Sequence, residues 1–303
     1  MVHRVHLTGA FNRSIAPATR RAGHKTSALS CSRILRGGRV AKWKGRVASF
    51  APSVTELFTC MGGLGLAALL VAGMAAGSAA AADLFWAPDG GLGGAGRWDL
   101  DITANWSQNS DGSGPYVPWT DLFDRAIFAG TPGTVELYGD IHASRLTFDS
   151  KGYELYGGSL TLIGNSAIRV TGVDNEVTAR SKIIGEVPGS SIVIEGGGTL
   201  VVTGDLTTAG DVRLNGSKLV LDRSALDAPS GGVLMTDQDG TGASLAVSGL
   251  NAHVNASWIE MGKETSGGNV ALTVDGVAQV NLDEHLHVAR DLNQVATINV
   301  SGG

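Results

Sequence analysis

The chain has 303 residues, among them 44 glycines, 8 prolines and 2 cysteines, with 17% charged and 43% hydrophobic side chains. That length can bury a sizeable core, and the composition excludes a coiled coil, a collagen and a multi-span membrane protein. The net charge of −5 averages two unlike pieces: residues 1–55 hold 11 Lys/Arg and no acidic residue, whereas residues 83–303 hold 12 Lys/Arg against 27 Asp/Glu, a formal −15.

The first piece reads as an address. A basic stretch leads into the uncharged apolar run Met61 to Gly77, and Ser78-Ala79-Ala80-Ala81-Ala82 precedes Asp83. Basic region, apolar region and small-residue exit are the three parts of a secretory signal, with the cut expected after Ala82. A retained membrane anchor fits less well, because the run is short and Gly/Ala-rich. A transit peptide would not be followed by that exit, and Arg20-Arg21 lies too far upstream to act as a twin-arginine signal. Cys31 and Cys60 both fall here, so the exported part relies on no disulfide.

Residues 83–135 hold Trp86, Trp98, Trp106 and Trp119, four of the six tryptophans. Clustered large aromatics form a compact local core. Such a core would cover the first coil of a repeat array, whose open end exposes backbone and apolar interior. Sugar stacking on exposed rings is the weaker reading. Within this module Gly91-Leu92-Gly93-Gly94-Ala95-Gly96 satisfies G-x-G-x-x-G, but a turn-rich stretch with Trp98 follows where a dinucleotide site needs a helix. Ala95 stands where a calcium nonapeptide needs aspartate.

Beyond it the chain repeats. Leu219-Val220-Leu221-Asp222, Leu245-Ala246-Val247-Ser248, Leu272-Thr273-Val274-Asp275 and Ile298-Asn299-Val300-Ser301 follow one another at a nearly constant spacing. Leu160-Thr161-Leu162 and Leu200-Val201-Val202 look like earlier relatives off that spacing. Alternating apolar and polar residues ending in a turn make a short half-buried strand. A unit of this size cannot enclose a core alone, but stacked units can. The expected fold is therefore all-β, a parallel β-solenoid. Leu219, Leu245, Leu272 and Ile298 should form one inward stack, and Leu221, Val247, Val274 and Val300 a second. Asn255 and Asn281 are either a stacked amide ladder or two unrelated turn residues. An antiparallel sandwich offers similar strands but does not explain the recurring spacing.

Chemistry is thin. His285 and His287 share one face of a strand, so both imidazoles could reach one ion, with Glu260 of a neighbouring coil a possible third ligand. An outward polar face with Leu286 pointing inward is the preferred reading, and no metal site is assigned. Thr265-Ser266-Gly267-Gly268 lacks the neighbours of a protease serine. No column of Arg/Lys recurs at the repeat spacing, as a polysaccharide-cleaving face would require. No catalytic or cofactor-binding residue is assigned, and a surface at −15 repels nucleic acid and anionic membranes.

Phe85-Trp86, Gly90 to Asp99, Ala104-Asn105-Trp106, Asp124 to Phe128, Gly133-Thr134-Val135, Leu146 to Asp149 and Tyr153 to Leu162 resemble the start of bacterial autotransporter passenger regions. The repeats resemble the beta-strand repeats of autotransporters and some sorting-signal exoproteins. The resemblance implies a right-handed parallel β-helix, displayed at the cell surface or outside a Gram-negative bacterium and carried there by a partner, an outer-membrane β-barrel translocator. The chain stops inside a repeat without barrel strands, so it reads as the front of something longer or a truncated product. The expected organisation is a signal over 1–82, a Trp/Gly-rich cap over 83–135 and solenoid repeats over 136–303. The expected protein is a monomeric structural or adhesive stalk, not an enzyme, with a surface polysaccharide or host-cell ligand as partner and no nucleic acid. Its rivals are a polysaccharide-acting enzyme on the same scaffold and an inactive fragment.

Overall fold

The computed structural model describes residues 81–120, 124–237, 240–262, 268–289 and 294–302. The expected signal region lies outside the described residues except for Ala81 and Ala82, as does Thr265-Ser266-Gly267. Among the described residues every regular element is a strand, and the strands join one large sheet. No helix among them is long and apolar enough to cross a membrane.

Alternation makes the strands. In Ala243–Ser248 the residues Ala243, Leu245 and Val247 are buried, and those between them are half-exposed. The pleat sends neighbouring side chains to opposite faces, so one row enters the core.

Between named strands, pairing is parallel from Arg125–Phe128 onward. The strand Lys218–Asp222 pairs with Ala243–Ser248, which pairs with Gly268–Asp275, which pairs with Gln294–Ser301. Between them, Ala225–Thr236 bends between Ala228 and Gly232 and pairs along both halves with His253–Met261. That strand bends between Ala256 and Trp258 and pairs likewise with Gln279–Val288. Each coil therefore contributes three short strand segments, and each segment meets its counterpart in the next coil. Parallel neighbours need a long crossover, and here the other two faces of the coil supply it. The arrangement is all-β and consistent with a β-solenoid. An antiparallel sandwich is overturned by the parallel register.

Both expected stacks are present. Leu219 pairs with Leu245, Leu245 with Leu272 and Leu272 with Ile298, while Leu221, Val247, Val274 and Val300 run beside them. A second face stacks Ile141, Leu160, Ile183, Leu206, Leu226 and Val254. A third stacks Leu146, Ile168, Ile194, Leu214, Met235 and Met261. All of these inner residues up to Met261 are buried. Burial of one such side chain contributes about 1.5–3 kcal/mol, so the gain recurs with each coil. The first two rows end at Ile298 and Val300, which are 41% and 64% exposed.

One assignment is corrected. Leu160 belongs to the second face, not to the row of Leu219. Leu200 does stand in that row, directly against Leu219, but the step between them is shorter than the step from Leu219 to Leu245. The even spacing begins only at Leu219.

The N-terminal tryptophans form a closed aromatic cluster. Trp98 lies 4.9 Å from both Trp106 and Trp119 by ring centroid, and Trp86 lies 5.1 Å from Trp106. Phe128 continues the cluster and stacks on Phe148 at 4.7 Å, so the aromatic core runs into the first coils. All four indoles are at most 1% exposed, which leaves no ring face for a sugar. Trp86 donates its indole N–H to the Gly94 carbonyl and Trp119 to that of His142, each at 2.9 Å. Between named strands, antiparallel pairing occurs only here, where Trp106–Ser107 joins Asp83–Trp86 and Tyr116–Val117.

Candidate functional site

The third face turns its alternate residues outward, and they also line up from coil to coil. Asp83, Arg125 and Arg145 are in direct register, and two positions further along Arg169 is in register with Glu195. Glu195 gathers the cations: Arg145 Nη2 donates to its Oε1 at 2.5 Å, and Arg169 Nη1 lies 3.9 Å from the same oxygen. Arg125 pairs with Asp83 at 3.4 Å. These groups are partly exposed, so each pair contributes at most about 1 kcal/mol. Arg125, Arg145 and Glu195 line a shallow groove of about 470 Å³ with Ser144, Asn165, Ser166 and Asn215. Its chemistry is that of a hydrogen-bonding, charge-bearing surface.

This groove stacks Arg125 on Arg145 off the repeat spacing, so it lies outside the expectation that no Arg/Lys column recurs at that spacing. A fixed period misses it because the coil from Arg125 to Arg145 is shorter than the coil from Arg169 to Glu195. Aligning the inward residues Leu146, Ile168 and Ile194, instead of counting residues, brings these outward positions together.

On the second face, Asn281 donates its side-chain amide to the Asn255 carbonyl at 2.8 Å, and Asn255 donates to Asp227 Oδ1 at 2.7 Å. The amide ladder is therefore real and is anchored on a carboxylate.

At the later end of the third face, Leu286 is in register with the buried Ile259, on the row expected to face inward, but is itself 39% exposed. His285 and His287 flank it on the outer side. Glu260, whose side chain is only 8% exposed, faces both from the preceding coil. Its Oε1 lies 3.6 Å from His287 Nδ1 and 4.0 Å from His285 Nε2. The two imidazoles stack with centroids 4.1 Å apart. The sequence pattern assigns no metal to these three residues; the fold brings them together.

The Gly-rich motif of residues 91–96 leads into the strand Gly96–Trp98, not into a helix. Its Gly93 has φ +86° and packs against the backbone of Thr131, so it serves close chain approach. Tyr153 is the one described group that is both buried and strongly shifted: burial pushes its hydroxyl up to about 12, and it donates to the carbonyls of Ala129 and Thr131.

Stacked parallel coils, inward aliphatic rows and an aromatic cluster at the first coil define the class: an all-β protein of repeated coils. No family model matches the chain, and no solved structure matches it. Over 275 residues the chain is 34% identical to the Adhesin BmaC autotransporter of Brucella suis biovar 1 (strain 1330). The match takes in 89% of this chain and 8% of that protein, so the chain spans a small part of its relative's length. The chain is thus homologous to part of an autotransporter adhesin and is passenger-like in sequence, as its motifs implied.

Proposed function

We propose that this chain is part of a surface-displayed, adhesive autotransporter-like protein, built as a right-handed parallel β-helix. The observation that carries the reading is the 34% identity, over most of the chain, to a protein named as an adhesin. Continuous parallel coils support it, because a long stack can hold a binding surface away from the cell. In this reading residues 1–82 direct export, 83–135 cap the first coil and 136–303 form the stalk. An outer-membrane β-barrel carries the passenger to the surface of a Gram-negative cell, and the role is contact, not catalysis. The test is adhesion: beads coated with the purified chain should attach to host-cell monolayers more than beads coated with albumin. Equal attachment would overturn the reading.

The Arg145–Glu195 groove favours a second reading, contact with an anionic polysaccharide. Arginine presents a planar fork to carboxylate and sulfate groups. Binding lost in Arg145→Ala, without appearance of new chain ends, places the groove among adhesive surfaces. Turnover of the polysaccharide would instead support the enzymatic rival.

A further inference from the structure

We infer that Glu260, His285 and His287 form a binding site for a transition-metal dication of the zinc class, which ties two successive coils together.

The argument begins with donor chemistry. Two imidazoles and one carboxylate suit Zn²⁺, Ni²⁺ or Cu²⁺, whereas Ca²⁺ and Mg²⁺ require oxygen sets. Geometry comes next. One ligand atom from each of the three residues lies within 4.8 Å of the others. Zinc bonds of about 2.0–2.1 Å in a tetrahedron place ligand atoms roughly 3.3 Å apart. The Glu260 Oε1 to His287 Nδ1 distance of 3.6 Å and the 4.0 Å to His285 Nε2 are each within about 1 Å of that value, and the stacked imidazoles must turn for their ring-plane lone pairs to converge on one ion.

The placement is imposed by the fold. His285 and His287 are two apart on one strand, so the pleat gives them one face. Register sets His287 beside Glu260, and His285 beside Trp258. The Trp258 and His285 rings are nearly parallel, at 9°. The Glu260 carboxyl is buried, on the same row as the buried Leu234. The imidazole side chains are 37% and 47% exposed, so an ion can enter and a water can complete the coordination. The ion would add a link between coils that backbone pairing alone does not provide.

The probe is ZnCl₂ on the full 303-residue chain, with the double variant His285→Asn/His287→Asn titrated in parallel. The histidines and cysteines of the leader are the same in both, so the difference isolates this site. The wild type should take up one more zinc equivalent than the variant, and only the wild type should show a zinc-dependent rise in Tm from these residues. Glu260→Gln should weaken the extra site. A measurement on unaltered protein makes the test independent of variant folding: zinc should protect His285 and His287 from acylation by diethylpyrocarbonate, read by mass spectrometry. Equal uptake by folded wild type and variant, or acylation of both histidines unchanged by zinc, would overturn the inference. Equal protection by CaCl₂ would overturn the metal class.

Discussion

Asn281 hydrogen-bonds Asn255 from one coil to the next, and Asn255 in turn donates to Asp227. The middle residue is both donor and acceptor, so it is the sensitive point. Asn255→Ala should cost about 1 kcal/mol per lost bond. Asn255→Asp should be worse at neutral pH, because it sets a second carboxylate against Asp227. That repulsion raises the carboxyl pKa of the folded variant above its unfolded value, so the variant's stability should recover on acidification. Urea unfolding of both variants at neutral and mildly acidic pH checks this.

Leu245 sits midway in its row and is fully buried between Leu219 and Leu272. Leu245→Ala should destabilise by about 2–5 kcal/mol, the range for a cavity in a packed core. Val300→Ala, at an exposed position of the adjacent row, should cost far less. Denaturant midpoints decide; equal losses would contradict the stacked-coil account.

The indoles make separable predictions. Among the described residues Trp98 Nε1 has no hydrogen-bond partner, whereas Trp119 Nε1 donates to His142. Trp119→Phe should therefore lose a hydrogen bond as well as volume, about 0.5–1.5 kcal/mol more than Trp98→Phe. Thermal unfolding of the pair tests the difference.

Gly232 lies under the Trp258 ring, where an added Cβ would fall 2.1 Å from Cδ2. Gly232→Ala should force the indole off its stack and lower Tm by several degrees, since overpacking typically costs about 1–3 kcal/mol. Because Trp258 adjoins His285, the same variant should also weaken zinc uptake.

Tyr153 predicts an alkaline limb. Its hydroxyl is raised to about 12 in the folded chain from an ordinary 10. The unfolded chain loses this proton first, so stability is intact below about pH 10 and falls as pH rises toward about 12. Tyr153→Phe keeps the ring against Phe128 and Phe148 but removes that proton. Its stability should be lower at neutral pH and decline less between those pH values.

Much of the fold was legible because strand alternation and repetition are local. Leu245-Ala246-Val247-Ser248 declares its inner and outer rows through the pleat, and its recurrence declares stacking. Coil length is not local. Loops and corners absorb inserted residues at little cost, so Leu200 stacks on Leu219 across a shorter coil than the one that brings Leu219 to Leu245.

The strand faces, the two aliphatic rows, the aromatic module and the resemblance to autotransporters were all readable along the chain. Which outward residues meet is fixed by the folded coils. Arg145 finds Glu195, and Glu260 finds two histidines, because side-chain encounters on a coil depend on register across corners of variable length. Inward residues announce their place by being apolar, whereas outward polar residues carry no mark of their neighbour until the coils are stacked.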